Sequence, residues 1–371
     1  MRKLLFPLLA AVLVAPVVLA DGDEPADPAP APAAADPKDA ADPKVAPEPK
    51  DNPEPKAPPE VAVPVSPDED PIPPNLDGMY VRGLRFLAGT QTPEGCWPSD
   101  GYGQQAGVVG LAIMAMLAHG DDPNTGPYAV AIQRGIKYIL EHQNKDTGYI
   151  GDSMYNHGFC CTALAECYGA VDVPGIGPAL QKAVDLSLNS QKANRTGGWR
   201  YGPDSKDADT SVSGSVLVGL FAARNAGIAV PDEAFTRALG FFDKMRTREG
   251  GYGYTSASGP NHNRTAIGVL AFCLAKQRDK PHIKESVKFL MNNTTYRDSA
   301  YPFYFEYYMS QALFQADLAE WRKWNVVNIR YLSTIQGPDG SWPGGKGKAF
   351  STSGALLSLA LNYRFLPIYE R

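Results

Sequence analysis

One pattern recurs at intervals of about 50 residues, and it restricts what this chain can fold into more than any single motif. Copies begin near Val81, Ala131, Leu180, Phe235, Ile283 and Val326, the fifth being degenerate. Each opens with apolar residues at helical spacing, such as Leu84, Phe86 and Leu87, or Ile136, Ile139 and Leu140. A glycine-rich turn with one aromatic follows, carrying Trp97, Tyr149, Trp199, Tyr252 or Trp342. Glycine supplies the tight, positive-φ geometry such a turn needs. A second apolar helix then mixes in small residues, for example Gly107, Gly110, Ala112 and Ala115, or Gly214, Gly219, Ala222 and Ala223. Small residues let helices approach closely, so the second helices belong to a crowded inner layer and the more charged first helices to an outer one. Six such hairpins side by side can close into a ring that buries the first against the last. An open helical solenoid is the competing architecture.

The turn also carries a resemblance. An outer helix ending in Gln, then Gly and an aromatic, is plainest at Phe86-Leu87, Gln91 and Gly95-Cys96-Trp97, and at Tyr331-Leu332, Gln336 and Gly340-Ser341-Trp342. It resembles the repeats of squalene–hopene cyclases and protein prenyltransferase β subunits over residues 82 to about 363. The resemblance implies an all-α fold, an α/α toroid (α6/α6 barrel) over residues 76–371. The chain looks most like exported, single-domain bacterial members of that superfamily, whose membership fixes fold far better than activity.

Outside the repeats the composition changes. Arg2 and Lys3 precede an apolar run from Leu4 to Leu19, with small residues before Asp21. Residues 1–20 therefore read as a signal peptide, an uncleaved anchor being the alternative. Seventeen of the 55 residues 21–75 are Pro, none is aromatic, and 14 acidic against 4 basic residues give a net charge of −10. Such a segment cannot bury enough apolar surface to offset its chain entropy, and reads as a disordered, extended tether. The remainder is near neutral, with no basic patch for nucleic acid and no later membrane span. Export to the periplasm or cell surface is the expected location. The five cysteines are too few and too odd for a disulfide framework.

In a ring of this kind the inner helices all begin at one mouth, where their positive dipole ends converge. Residues preceding them are the candidates for chemistry, and the segment Gly197–Ser211 is the sharpest. It resembles the Asp-x-Asp-Asp-Thr segment of class II terpene cyclases, whose central Asp protonates an alkene. Aligned from the first Asp, Asp207 and Asp209 match and Thr210 replaces the last Asp; aligned from the Asp-Thr end, Ala208 falls on the acid. Either Asp209 or Ser211 equally fits as the N-cap of the apolar helix that follows; a capping Asp209 would accept backbone N–H groups and have its pKa lowered by them. His157, Trp199, Tyr201, His262, Arg264, Tyr304 and Glu306 are the expected lining of a central ligand cavity. For His157 a structural bond and for Trp199 a packing wedge compete with that role. No cofactor is required. Zinc is the alternative, through Asp207, Asp209 and His262 as the prenyltransferase resemblance would place it, or through His157 and Cys161 on one helix face.

These readings leave three functions: binding of a lipid, isoprenoid or polar polymer, catalysis of the cyclase or prenyltransferase type through Asp209, and action on a polysaccharide through carboxylates such as Asp209 and Glu306. The sequence favours binding, because Thr210 breaks the acid motif and one toroid stands where large cyclases use two domains. Limited proteolysis of the full chain should cut within residues 21–75 and leave a stable fragment of the repeats; a protected 21–75 would contradict the disorder argument.

Overall fold

The computed structural model describes residues 75–97 and 101–370, so the signal-peptide and tether expectations lie outside the described residues. Twelve helices follow one another: α1 (Leu76–Thr90), α2 (Ala106–Leu117), α3 (Ala129–Glu141), α4 (Met154–Cys167), α5 (Ile176–Ala193), α6 (Thr210–Asn225), α7 (Asp232–Met245), α8 (His262–Leu274), α9 (Pro281–Met291), α10 (Pro302–Ala316), α11 (Leu318–Ile335) and α12 (Lys348–Leu359). Two short 3-10 turns end the chain. Among the described residues β-pairing is confined to isolated bridges across turns.

The even-numbered helices form the inner ring. Every residue of α2 is buried, as expected of a helix covered on all sides. The odd-numbered helices bury one stripe, such as Ala131, Ile132, Gly135, Ile136 and Ile139 of α3. Inner helices pack in sequence, α2 on α4, α4 on α6, α6 on α8, α8 on α10 and α10 on α12, and α12 then meets α2. Small residues set the spacing: a Cβ on Gly158 of α4 would lie 2.7 Å from the Ser215 backbone of α6.

A repeated joint holds neighbouring hairpins together. Gln91 Nε2 donates to Gly95 O of its own turn (3.1 Å) and to Ala131 O of the next outer helix (3.0 Å). Gln143 does the same to Gly148 O and Ala179 O, and Gln191 to Gly197 O and Ala234 O. Ring closure reuses the joint: Gln336 Nε2 donates to Gly340 O and to Met79 O of α1, each at 2.9 Å. Gly340 has φ of 86°, and a Cβ there would stand 2.4 Å from Arg82 O, so only glycine lets the turn lie against α1. The indole N–H groups of Trp97, Trp199 and Trp342 donate to Leu87 O, Ser187 O and Leu332 O, four residues before the joint Gln in each case. Trp199 is thus a fully buried wedge rather than a cavity wall.

Two hairpins lack the glutamine and join differently. At the fourth, Ser286 Oγ on α9 donates to Gly250 O (2.6 Å). At the fifth, Arg297 lies 4.2 Å over the Tyr331 ring of α11 and pairs with Glu306 of α10 at 3.0 Å. Glu306 is wholly buried in this joint, and burial pushes its carboxyl up to about 8 against the pull of Arg297.

His157 is also structural. Its Nδ1 accepts from Ile150 N (3.2 Å), and its Nε2 lies 2.9 Å from Ala183 O of α5 and 3.1 Å from Ser187 Oγ. Ser213, Thr265 and Thr352 hydroxyls accept from Trp199 N, Tyr252 N and Trp342 N in three other repeats, so His157 replaces a hydroxyl in the same bond. Burial pushes its pKa down to about 4, partly opposed by Ala183 O. The five cysteines are all buried thiols.

Two measurements test this account. Gln336→Leu removes both bonds of the closure amide and should cost roughly 1–3 kcal/mol in denaturant unfolding, more than Arg82→Ala, which removes only the exposed bonds from Arg82 to Gln336 Oε1. His157 must be neutral in the folded state, so its contribution is complete above its ordinary pKa of 6.5 and is lost as pH falls towards 4. The stability gap between the wild type and His157→Gln should therefore narrow over that window, by up to about 3 kcal/mol; a pH-independent gap would contradict a buried neutral imidazole.

Candidate functional site

The inner helices start at one end of the ring, and their preceding turns build the mouth. Backbone bonds tie neighbouring turns together at three junctions. Met154 N, opening α4, donates to Tyr201 O (2.8 Å), and Thr210 N, opening α6, donates to Tyr254 O (3.0 Å). Tyr102 N of the first turn donates to Lys346 O of the last (2.9 Å), carrying the rim across the closure. These bonds hold Tyr102, Tyr201 and Tyr254, and Tyr155 and the pair Tyr301 and Tyr304 stand at two further turns, all partly exposed. Tyr155 lies 5.9 Å from Tyr201 and 6.2 Å from Tyr304 between ring centroids, and the Tyr201 and Tyr254 hydroxyls are 2.8 Å apart.

Below the rim the axis of the ring is filled. Leu111, Phe159, Phe303, Tyr304, Tyr307 and Phe350 converge there and leave about 10 Å³. That is at most room for one water. At the far end Leu366, Ile368 and Tyr369 are buried, and Gln315 Nε2 holds Tyr369 O and Glu370 O at 3.2 and 3.0 Å. The expected central cavity is replaced by aromatic packing.

Asp209 sits at the mouth and caps α6. Its Oδ1 accepts from Ser211 N and Val212 N, both at 2.8 Å, and its side chain is 0% exposed. The capping expectation holds in geometry, but the expected lowering of its pKa does not. Burial pushes the carboxyl up to about 6, outweighing the opposing Val212 N–H, Arg200 charge and Ser211 N–H. Its Oδ2 makes no close hydrogen bond and lies 3.6 Å from Arg200 Nη1. Arg200 also lies 3.6 Å from Asp207, which is 66% exposed, and stacks 5.2 Å from both Tyr201 and Tyr254. Arg264 lies 5.8 Å over Tyr254. Thr210, where one alignment expects a second acid, is buried and donates to Gly253 O of the fourth turn.

The mouth thus brings together Asp207, Asp209, Tyr201, Arg264 and Tyr304 from the expected set. It does not include His157, Trp199 or Glu306, which point into the joints. His262 turns outward, stacking on Tyr296 at 4.3 Å and lying 3.0 Å from Asn292 Oδ1. Arg200, Tyr102, Tyr155, Tyr254 and Lys346 lie outside the expected set, although a tyrosine beside the Gly-rich turn or at the inner-helix start is visible in the sequence in five of the six repeats. His157 and Cys161 diverge, the first towards α5 and the second towards Gly219 O of α6. Among the described residues no three His, Cys, Asp or Glu side chains come together as a metal set. No described helix is long and apolar enough to cross a membrane.

No family model matches the chain, and no curated protein matches it. Solved structures do. The type II terpene cyclase MstE from Scytonema is similar at 19% identity, with 79% of this chain and 99% of that one covered and a TM-score of 0.54. A variant of that cyclase in complex with its substrate geranylgeranyl dihydroxybenzoate is similar at 18% identity, covering 79% and 98%, with a TM-score of 0.54. The GH76A α-1,6-mannanase of Salegentibacter sp. HEL1_6 is similar at 10% identity, covering 77% and 98%, with a TM-score of 0.60. Isoprenoid and polysaccharide enzymes share this scaffold, so the likeness fixes architecture and not chemistry. The described chain is an α/α toroid with the squalene-cyclase-like fold.

Proposed function

We propose that the protein is an exported ligand-binding toroid whose binding surface is the tyrosine rim of the mouth. The observation that carries this reading is the filled axis. A cyclase must enclose its polyprene in a dry cavity shaped to the folded chain, and where these side chains converge on the axis the void is only about 10 Å³. The rim offers instead amphipathic rings held by backbone bonds, the kind of rigid contact surface that binds at low entropic cost.

One observation favours catalysis as a second reading. Asp209 is a buried carboxyl with one oxygen free of close hydrogen bonds and a pKa raised to about 6, as an acid catalyst requires. Against this stand its two backbone donors and the absence, among the described residues, of a second buried carboxyl beside it. Asp207 is in solvent, and Glu306 is committed to Arg297 in a joint.

Turnover separates the two. Incubated with geranylgeranyl dihydroxybenzoate or α-1,6-mannotetraose and followed by mass spectrometry, the full chain should return both unchanged; product that disappears in Asp209→Asn would establish the acid reading. A capping role for Asp209 has its own signature. A carboxyl with a raised folded-state pKa stabilises most at low pH and loses that contribution as pH rises from its ordinary 3.8 through about 6. Asn also caps well. Asp209→Asn should therefore gain stability relative to the wild type as pH rises through that window, whereas Asp209→Ala should cost about 1 kcal/mol at low pH through the lost cap.

A further inference from the structure

Resting on the reading of the rim as a binding surface, we infer that its ligand is a neutral oligosaccharide lying across several turns. Three features of the rim select that chemistry. First, rings contributed by several turns adjoin one another along the rim. Tyr155 touches Tyr201 and Tyr304, Tyr201 bonds Tyr254, and Tyr102 and Tyr301 flank Lys346, whose Nζ lies 5.7 and 4.9 Å from their centroids. A ligand that uses them must be extended and must present flat, weakly apolar faces at intervals. Sugar rings do this, setting C–H groups against the negative face of an aromatic ring while their hydroxyls stay free.

Second, charges of both signs stand side by side at the rim. Arg200, Arg264 and Lys346 share the rim with Asp152 and Asp207, and Arg200 stands 3.6 Å from Asp207 and from the buried Asp209 beneath it. A polyanion would gain from the cations but meet Asp207 and Asp152, both exposed to solvent. A polycation would meet the converse. A polyol gains from both signs, because guanidinium groups donate to its hydroxyl oxygens and carboxylates accept from its O–H groups. Third, a lipid chain needs depth to leave water, and the packed axis beneath Tyr304 supplies none.

Affinity electrophoresis of the full chain tests this, in gels holding dextran or hydroxyethyl cellulose as neutral glycans and polygalacturonate as an acidic one. Direct titration with geranylgeranyl dihydroxybenzoate serves as the lipid arm. Retardation by a neutral glycan is expected, unchanged between low and high salt, since screening acts on net charge and not on stacking. Tyr155→Ala and Tyr201→Ala should each weaken it tenfold or more, with unfolding temperatures checked in parallel. Tyr201→Phe guards against a folding defect and should keep most of the retardation. If the chain binds polygalacturonate or the lipid but no neutral glycan, and the same variants abolish that binding, the ligand class is wrong and the rim reading stands. If binding of any probe survives both alanine variants in folded protein, the rim reading fails with it. No retardation by either neutral glycan also overturns the inference.

Discussion

The structure depends on a side-chain amide that spans two backbones. At four of the six joints a glutamine at the end of an outer helix donates to its own glycine turn and to the first turn of the next outer helix. The N–H groups opening each helix and the carbonyls of each turn must find partners in a buried setting. One amide gives a donor to a turn carbonyl and a second bond to a carbonyl of the next outer helix, and so links the two hairpins. Repeating it turns a row of hairpins into an arc, and its use at the sixth joint, Gln336 to Met79, closes the arc into a ring across more than 250 residues of sequence. Where the glutamine is missing, a serine hydroxyl and an Arg297–Glu306 pair over Tyr331 take its place.

Closure decides what the inner helices can do. A helix ring with glycines at its contacts draws tight, and long aromatic side chains on α4, α10 and α12 then meet at the axis and fill it. The same tightness carries each turn onto its neighbour, so the tyrosines of consecutive turns share one rim. Charge follows the same logic. Asp209 is held at the start of α6 by two backbone donors, its burial raises its pKa, and Arg200 is pinned over it between Tyr201 and Tyr254.

Much of this is legible in the sequence because it repeats. The hairpins, the inner and outer assignment and the Gln–Gly–aromatic turn all rest on periodicity, which is weakest in the fifth copy. The site is less legible. Lying just before an inner helix places a residue near the mouth but does not say which way its side chain turns. His157 and Glu306 turn outward into joints, whereas Tyr155, two residues before His157, faces the rim. The pKa of Asp209 lies on the opposite side of its ordinary value from the expected one because cap geometry is local and readable, while burial is a property of the closed ring. The filled axis is hidden for the same reason: it follows from how far six helices draw together.

The central claim is that the last joint is equivalent to the others, so that the ring is one cooperative unit without ends. Native-state hydrogen exchange tests this most directly. The account predicts that the slowest amides of α1 and α12 exchange with the same opening free energy as those of α4 and α6, and that Gln336→Leu lowers all four together. An open stack would fray from its termini. Amides of α1 and α12 exchanging well before those of α4 and α6 in the wild type would contradict closure as the constraint on which the rest depends.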